Sequence, residues 1–72
     1  MSRPQQMRSS AVMSREESIR VDAFVQRVGK GAAMRRLRVS EWVLESAMDE
    51  GRMLGKTKVR VLEALTREEA AP

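Results

Sequence analysis

The sequence predicts a small all-α domain, and three observations predict it. Apolar residues recur at helical spacing in four stretches. Residues suited to capping, Ser14 and Ser40, stand where two of those stretches begin. Glycines punctuate the chain at Gly29, Gly31, Gly51 and Gly55, where helices would stop or restart. The expected helices cover about residues 14–28, 31–37, 40–50 and 57–69, behind a flexible basic tail over residues 1–13.

The tail, MSRPQQMRSSAVM, is polar and carries Arg3, Arg8 and Pro4, a composition that buries little. Ser14-Arg15-Glu16-Glu17 then reads as a capping box. The Ser14 hydroxyl can accept from the Glu17 backbone, and the Glu17 carboxylate can accept from that of Ser14. Val21, Phe24, Val25 and Val28 fall on one face of the helix that follows, and Gly29-Lys30-Gly31 ends it. A short second helix turns Ala33, Met34 and Leu37 inward and Arg35, Arg36 and Arg38 outward. Ser40 caps the third helix, with Glu41 in its first turn. Glu41, Glu45 and Asp49 are four residues apart and form one acidic stripe, bordered by Trp42. In the last helix Val59, Leu62 and Leu65 share a side. Its charges run against the helix dipole, basic at the start (Lys56, Lys58, Arg60) and acidic at the end (Glu68, Glu69). That reversal points to a partner for the basic end.

Charge is distributed in blocks. Residues 30–38 hold Lys30, Arg35, Arg36 and Arg38 without an acid. Residues 41–50 hold Glu41, Glu45, Asp49 and Glu50 without a base. Residues 52–60 hold Arg52, Lys56, Lys58 and Arg60, again without an acid. The net charge is +4 and the isoelectric point is near 10.7, which favours an anionic partner. The arrangement says where such a partner would sit: against the outer blocks and away from the acidic one.

With 72 residues, one phenylalanine and one tryptophan, the chain can build only a thin core. Self-association or a partner surface would add to its stability. Trp42 is expected in or beside that core, because so few large side chains are available to fill it. The absence of cysteine excludes a disulfide framework, and a chain without histidine lacks the commonest general base and metal ligand. An enzyme is not expected, nor a cofactor, a metal or a small-molecule substrate. No apolar run reaches membrane-spanning length and no secretory leader is visible, so a cytoplasmic, nucleoid-associated protein is expected. Gly55-Lys56-Thr57 has the end of a phosphate-binding loop, but Glu50 stands where that motif requires its first glycine.

Three family resemblances attach to particular residues. Leu37-Arg38-Val39-Ser40, with Gly51 eleven residues on, resembles the helix–turn–helix of excisionase and MerR-type regulators. That resemblance would make residues 40–50 the recognition helix, although its acids would face phosphates. Ser40-Glu41-Trp42-Val43-Leu44-Glu45 is similar to the second helix of ribbon–helix–helix repressors and antitoxins, which implies a strand at Glu17–Val21 and a dimer. Leu54-Gly55-Lys56-Thr57-Lys58-Val59, followed by Leu62-Glu63-Ala64-Leu65, resembles the actinobacterial integration host factor family over about residues 35–65. That family implies a small helical nucleoid protein binding DNA with little sequence preference, and it carries Lys56 and Lys58 over as phosphate contacts. The family's Pro-Gly-x-Gly hairpin is not carried over, because Thr66-Arg67-Glu68-Glu69 occupies its place.

The expected function is therefore non-enzymatic DNA binding through two basic patches, Arg35/Arg36/Arg38 and Lys56/Lys58/Arg60. The alternative is a protein-interaction or oligomerisation module. It would dock a basic partner, or another copy, on Glu41, Trp42, Glu45 and Asp49.

Overall fold

A computed structural model describes residues 10–71. Over the described residues the fold is mainly all-α: four helices and one small antiparallel sheet of two strands. In chain order the elements are β1 (Ser10–Val12), α1 (Arg15–Val28), α2 (Lys30–Leu37), α3 (Glu41–Met48), β2 (Arg52–Leu54) and α4 (Gly55–Ala70).

The Ser14 capping box forms as the sequence implies. The Glu17 N–H donates to Ser14 Oγ at 3.1 Å, and the Ser14 N–H donates to Glu17 Oε1 at 2.8 Å. Helix α1 ends at Gly29, whose φ of +92° and ψ of 152° suit glycine alone. Its N–H caps Val25 and its carbonyl starts α2 by accepting from Ala33. Residues 17–21 lie inside α1, so the strand required by the ribbon–helix–helix resemblance is helix instead. The capping box fixes the helix start too early for a ribbon.

Two expected boundaries are corrected. Gly55 is the first residue of α4 rather than a break before it, and residues 52–54, expected as loop, form β2. The second correction concerns the tail. Ser10–Val12 pairs with β2 in the register Ser10↔Leu54, Ala11↔Met53 and Val12↔Arg52. Met13, expected to be mobile, is 1% exposed and belongs to the core. Residues 1–9, with Arg3 and Arg8, lie outside the described residues. The alternation in Ser-Ala-Val-Met was too short to read as a strand, and β1 persists because β2 and α4 cover it.

The core joins Met13, just after β1, and Met53, the middle of β2, to Val21, Phe24 and Val25 of α1. It continues through Ala33 and Leu37 of α2 and Leu44 and Ala47 of α3 to Val61, Ala64 and Leu65 of α4. Arg27 lies over the Phe24 ring at 5.5 Å. Lys58, on α4, ties the strand layer down: its Nζ donates to the Val12 carbonyl at 2.9 Å and lies 3.3 Å from Glu17.

One polar side chain is buried among the described residues. Ser18, 4% exposed, donates to the Ala47 carbonyl at 2.7 Å and accepts from the Glu50 N–H at 3.1 Å. Gly51 N–H closes the same helix end on the Ser46 carbonyl, and a Cβ at Gly51 would stand 3.1 Å from Ser46.

Replacing Ser18 by Ala is expected to cost roughly 1–3 kcal/mol in urea unfolding, because it removes one buried and one part-buried hydrogen bond. Met13→Ala is expected to cost roughly 2–5 kcal/mol, the range for a buried methionine. A Met13→Ala variant as stable as the parent would place β1 outside the cooperative fold.

Candidate nucleic-acid interface

One arginine from each basic block, Arg38 and Arg60, meets the other across a groove. The turn from α2 to α3 supplies Leu37, Arg38, Val39 and Ser40, and α3 supplies Val43. Helix α4 supplies Thr57, Arg60, Val61, Glu63, Ala64 and Arg67, which wind along one side at helical spacing. The groove encloses about 440 Å³. Its floor is apolar, with Leu37 and Val61 buried beneath it, and its rim carries three arginines against one glutamate. Arg38, Arg60 and Arg67 are exposed and make no ion pair among the described residues.

Arg38 reaches the rim through an unusual backbone. It sits in the left-handed region, φ 59° and ψ 51°, at the C-terminal cap of α2. Its N–H and that of Val39 both return to the Met34 carbonyl. Ser40 then caps α3 by accepting from the Val43 N–H at 3.2 Å. Helices α2 and α3 follow one another across this turn, and the face of the turn opens onto α4.

The other expected phosphate contacts separate. Arg36 pairs with Glu68 at 3.3 Å, from helix α2 to helix α4. Lys58 is held between the Val12 carbonyl and Glu17, so its ammonium is committed to the fold. Arg35 is exposed and folds back toward Gly31. Lys56 is exposed in the first turn of α4 without an ion-pair partner among the described residues. Arg67, which the sequence reading passed over, belongs to the groove. Its signal was its spacing: seven residues after Arg60, two turns along the same face.

The acidic stripe on α3 is partly answered from within the chain. Lys30 Nζ donates to Glu41 Oε2 at 2.8 Å and to Glu45 Oε2 at 2.7 Å, and this raises the Lys30 pKa above its ordinary value. Asp49, at the end of α3, makes no ion pair among the described residues. Trp42 is 66% exposed, which corrects its expected place in or beside the core. Leu44 and Ala47 fill the inward side of α3 instead. Among the described residues no His, Cys, Asp or Glu cluster could hold a metal, and no helix is long and apolar enough to cross a membrane.

Three carboxyls are held below their ordinary value. The Ser14 N–H does this for Glu17, with burial opposing and Lys58 assisting. Lys30 does it for Glu41 and Arg20 for Glu69, the latter at 2.6 Å. A carboxylate lowered in the folded state adds stability above its unfolded pKa and loses it as pH falls through the folded value. Urea midpoints are therefore expected to hold steady at neutral pH and to fall below about pH 4.5. The effect shrinks in high salt, because these pairs are exposed or only half-buried.

Compared with protein-family models, with curated proteins and with solved structures, the chain matches none.

Proposed function

We propose that the protein is a non-enzymatic DNA-binding protein that holds the phosphate backbone along the groove between the α2–α3 turn and α4. The observation that carries the reading is the convergence of Arg38, Arg60 and Arg67, from two parts of the sequence, on one apolar-floored groove without ion-pair partners among the described residues. Guanidinium groups are suited to phosphate oxygens, which they engage in pairs of hydrogen bonds. A net charge of +4 adds long-range attraction. Lys56 lies on the same helix as two of the three arginines and extends the basic surface toward its start. The resemblance of about residues 35–65 to the actinobacterial integration host factor family points the same way, toward a nucleoid-associated or regulatory role.

The rival reading, a module that docks a basic protein on Glu41, Trp42, Glu45 and Asp49, draws support from the exposure of Trp42. It is weakened by Lys30, which already occupies Glu41 and Glu45.

Fluorescence polarisation with a short labelled DNA at two salt concentrations tests the proposal. Affinity is expected to fall steeply with salt. Arg60→Glu and Arg67→Glu are expected to weaken binding and to reduce the slope of log affinity against log salt by about 1 each. Arg38→Gly relieves the left-handed backbone and removes the charge, so it should fold well and bind less. Lys58→Met should unfold more easily while binding as the parent does. Tight binding by the groove variants, or salt-independent binding by the parent, would overturn the reading.

A further inference from the structure

We propose that the groove takes a single strand of nucleic acid rather than a duplex, with Trp42 as the platform on which an unpaired base stacks. This rests on the phosphate-binding reading of the groove and adds what sits beside the phosphates. Three observations carry it.

The first is the exposure of the indole. The chain has two aromatic side chains; Phe24 is buried in the core, and Trp42 is left two-thirds in water although the core is thin. The second is its position. Val39, Ser40 and Val43 line the groove. Successive helix residues are about 100° apart, so around α3 the exposed Trp42 stands between Val43, which lines the groove, and Glu45. A strand with its phosphates on Arg38, Arg60 and Arg67 can turn its bases toward that indole. The third is the charge beyond it. Glu41 and Glu45 share the single ammonium of Lys30, and Asp49 makes no ion pair among the described residues, so this side of α3 stays net negative. A duplex in the groove would bring its second row of phosphates against that side. A single strand presents phosphates to the arginines and bases to the aromatic face, and stacking there tolerates any base.

The test compares a labelled fifteen-nucleotide oligo-dT with a duplex of about the same length, at matched salt, for the parent, Trp42→Ala, Trp42→Phe and Arg60→Glu. Because Trp42 is exposed, its variants should keep the parent's circular dichroism. The expected result is that oligo-dT binds about tenfold or more tighter than duplex and quenches the lone tryptophan's fluorescence. Trp42→Ala should then lose about tenfold in affinity for oligo-dT, and Trp42→Phe should keep most of it. Duplex binding as tight as single-strand binding, or a Trp42→Ala variant equal to the parent, overturns the stacking role. If Arg60→Glu still weakens binding in that case, the groove reading survives alone. No binding to either nucleic acid at low salt overturns both, and leaves Trp42 and the acids as a protein-docking face.

Discussion

The hydroxyl of Ser18 completes the end of a helix it does not belong to, and much of the fold depends on that. After α3 the chain turns through Glu50 in the left-handed region, and the Gly51 N–H returns to the Ser46 carbonyl. A helix end of this kind normally adds a bond from the Glu50 N–H to the Ala47 carbonyl. Here Ser18 Oγ stands between the two, accepting from the first and donating to the second. Helix α1 is thereby fastened to the exit of α3 inside the core. That exit sets where β2 begins, β2 gives β1 its register, and α4 starts directly from β2. The placement of Arg60 and Arg67 opposite Arg38 is therefore downstream of one buried serine.

The basic residues divide into those that hold the molecule together and those left over. Arg20 reaches Glu69, Arg36 reaches Glu68, Lys58 reaches Glu17 and the Val12 carbonyl, and Lys30 reaches two acids of α3. Individually these pairs contribute little, being exposed or only half-buried. Collectively they place the C-terminal acids of α4 against α1 and α2, which answers the reversed charge order noted in the sequence. Glu68 and Glu69 are tie points for neighbouring helices, so their misfit with the dipole of α4 needs no external partner. The basic start of α4 is different: Lys58 turns inward, while Lys56 and Arg60 have no such use among the described residues.

The helices were legible because their punctuation is local. Ser14 with Glu17, Gly29, and Ser40 each act within one turn, and each acts where the sequence places it. The strands were not legible, because three residues carry too little alternation and β1 exists only through a partner forty or more residues away. Lys58 illustrates the same limit for the site. Its charge reads as a phosphate contact in sequence, and only the fold shows that a strand carbonyl and Glu17 have taken it. The scarcity of large side chains points to Trp42 as core, and the structure leaves it 66% exposed. Met13 and Met53, from the expected tail and the expected break, supply apolar volume in place of its ring.

The two non-glycine residues with positive φ, Arg38 and Glu50, make an instructive pair. Both end helices at positions where glycine is ordinarily favoured, and both carry a steric cost of roughly 1–2 kcal/mol relative to it. At Glu50 the cost is set against a part-buried hydrogen bond to Ser18. At Arg38 nothing comparable offsets it: the N–H goes to Met34, as a glycine's would, and the guanidinium makes no ion pair among the described residues. What an arginine adds there over a glycine is a positive charge at the rim of the groove, opposite Arg60 and Arg67. A backbone outlier whose charged side chain makes no ion pair among the described residues is the kind of position from which function is best inferred. It places the weight of the functional reading on the groove rather than on the acidic face of α3.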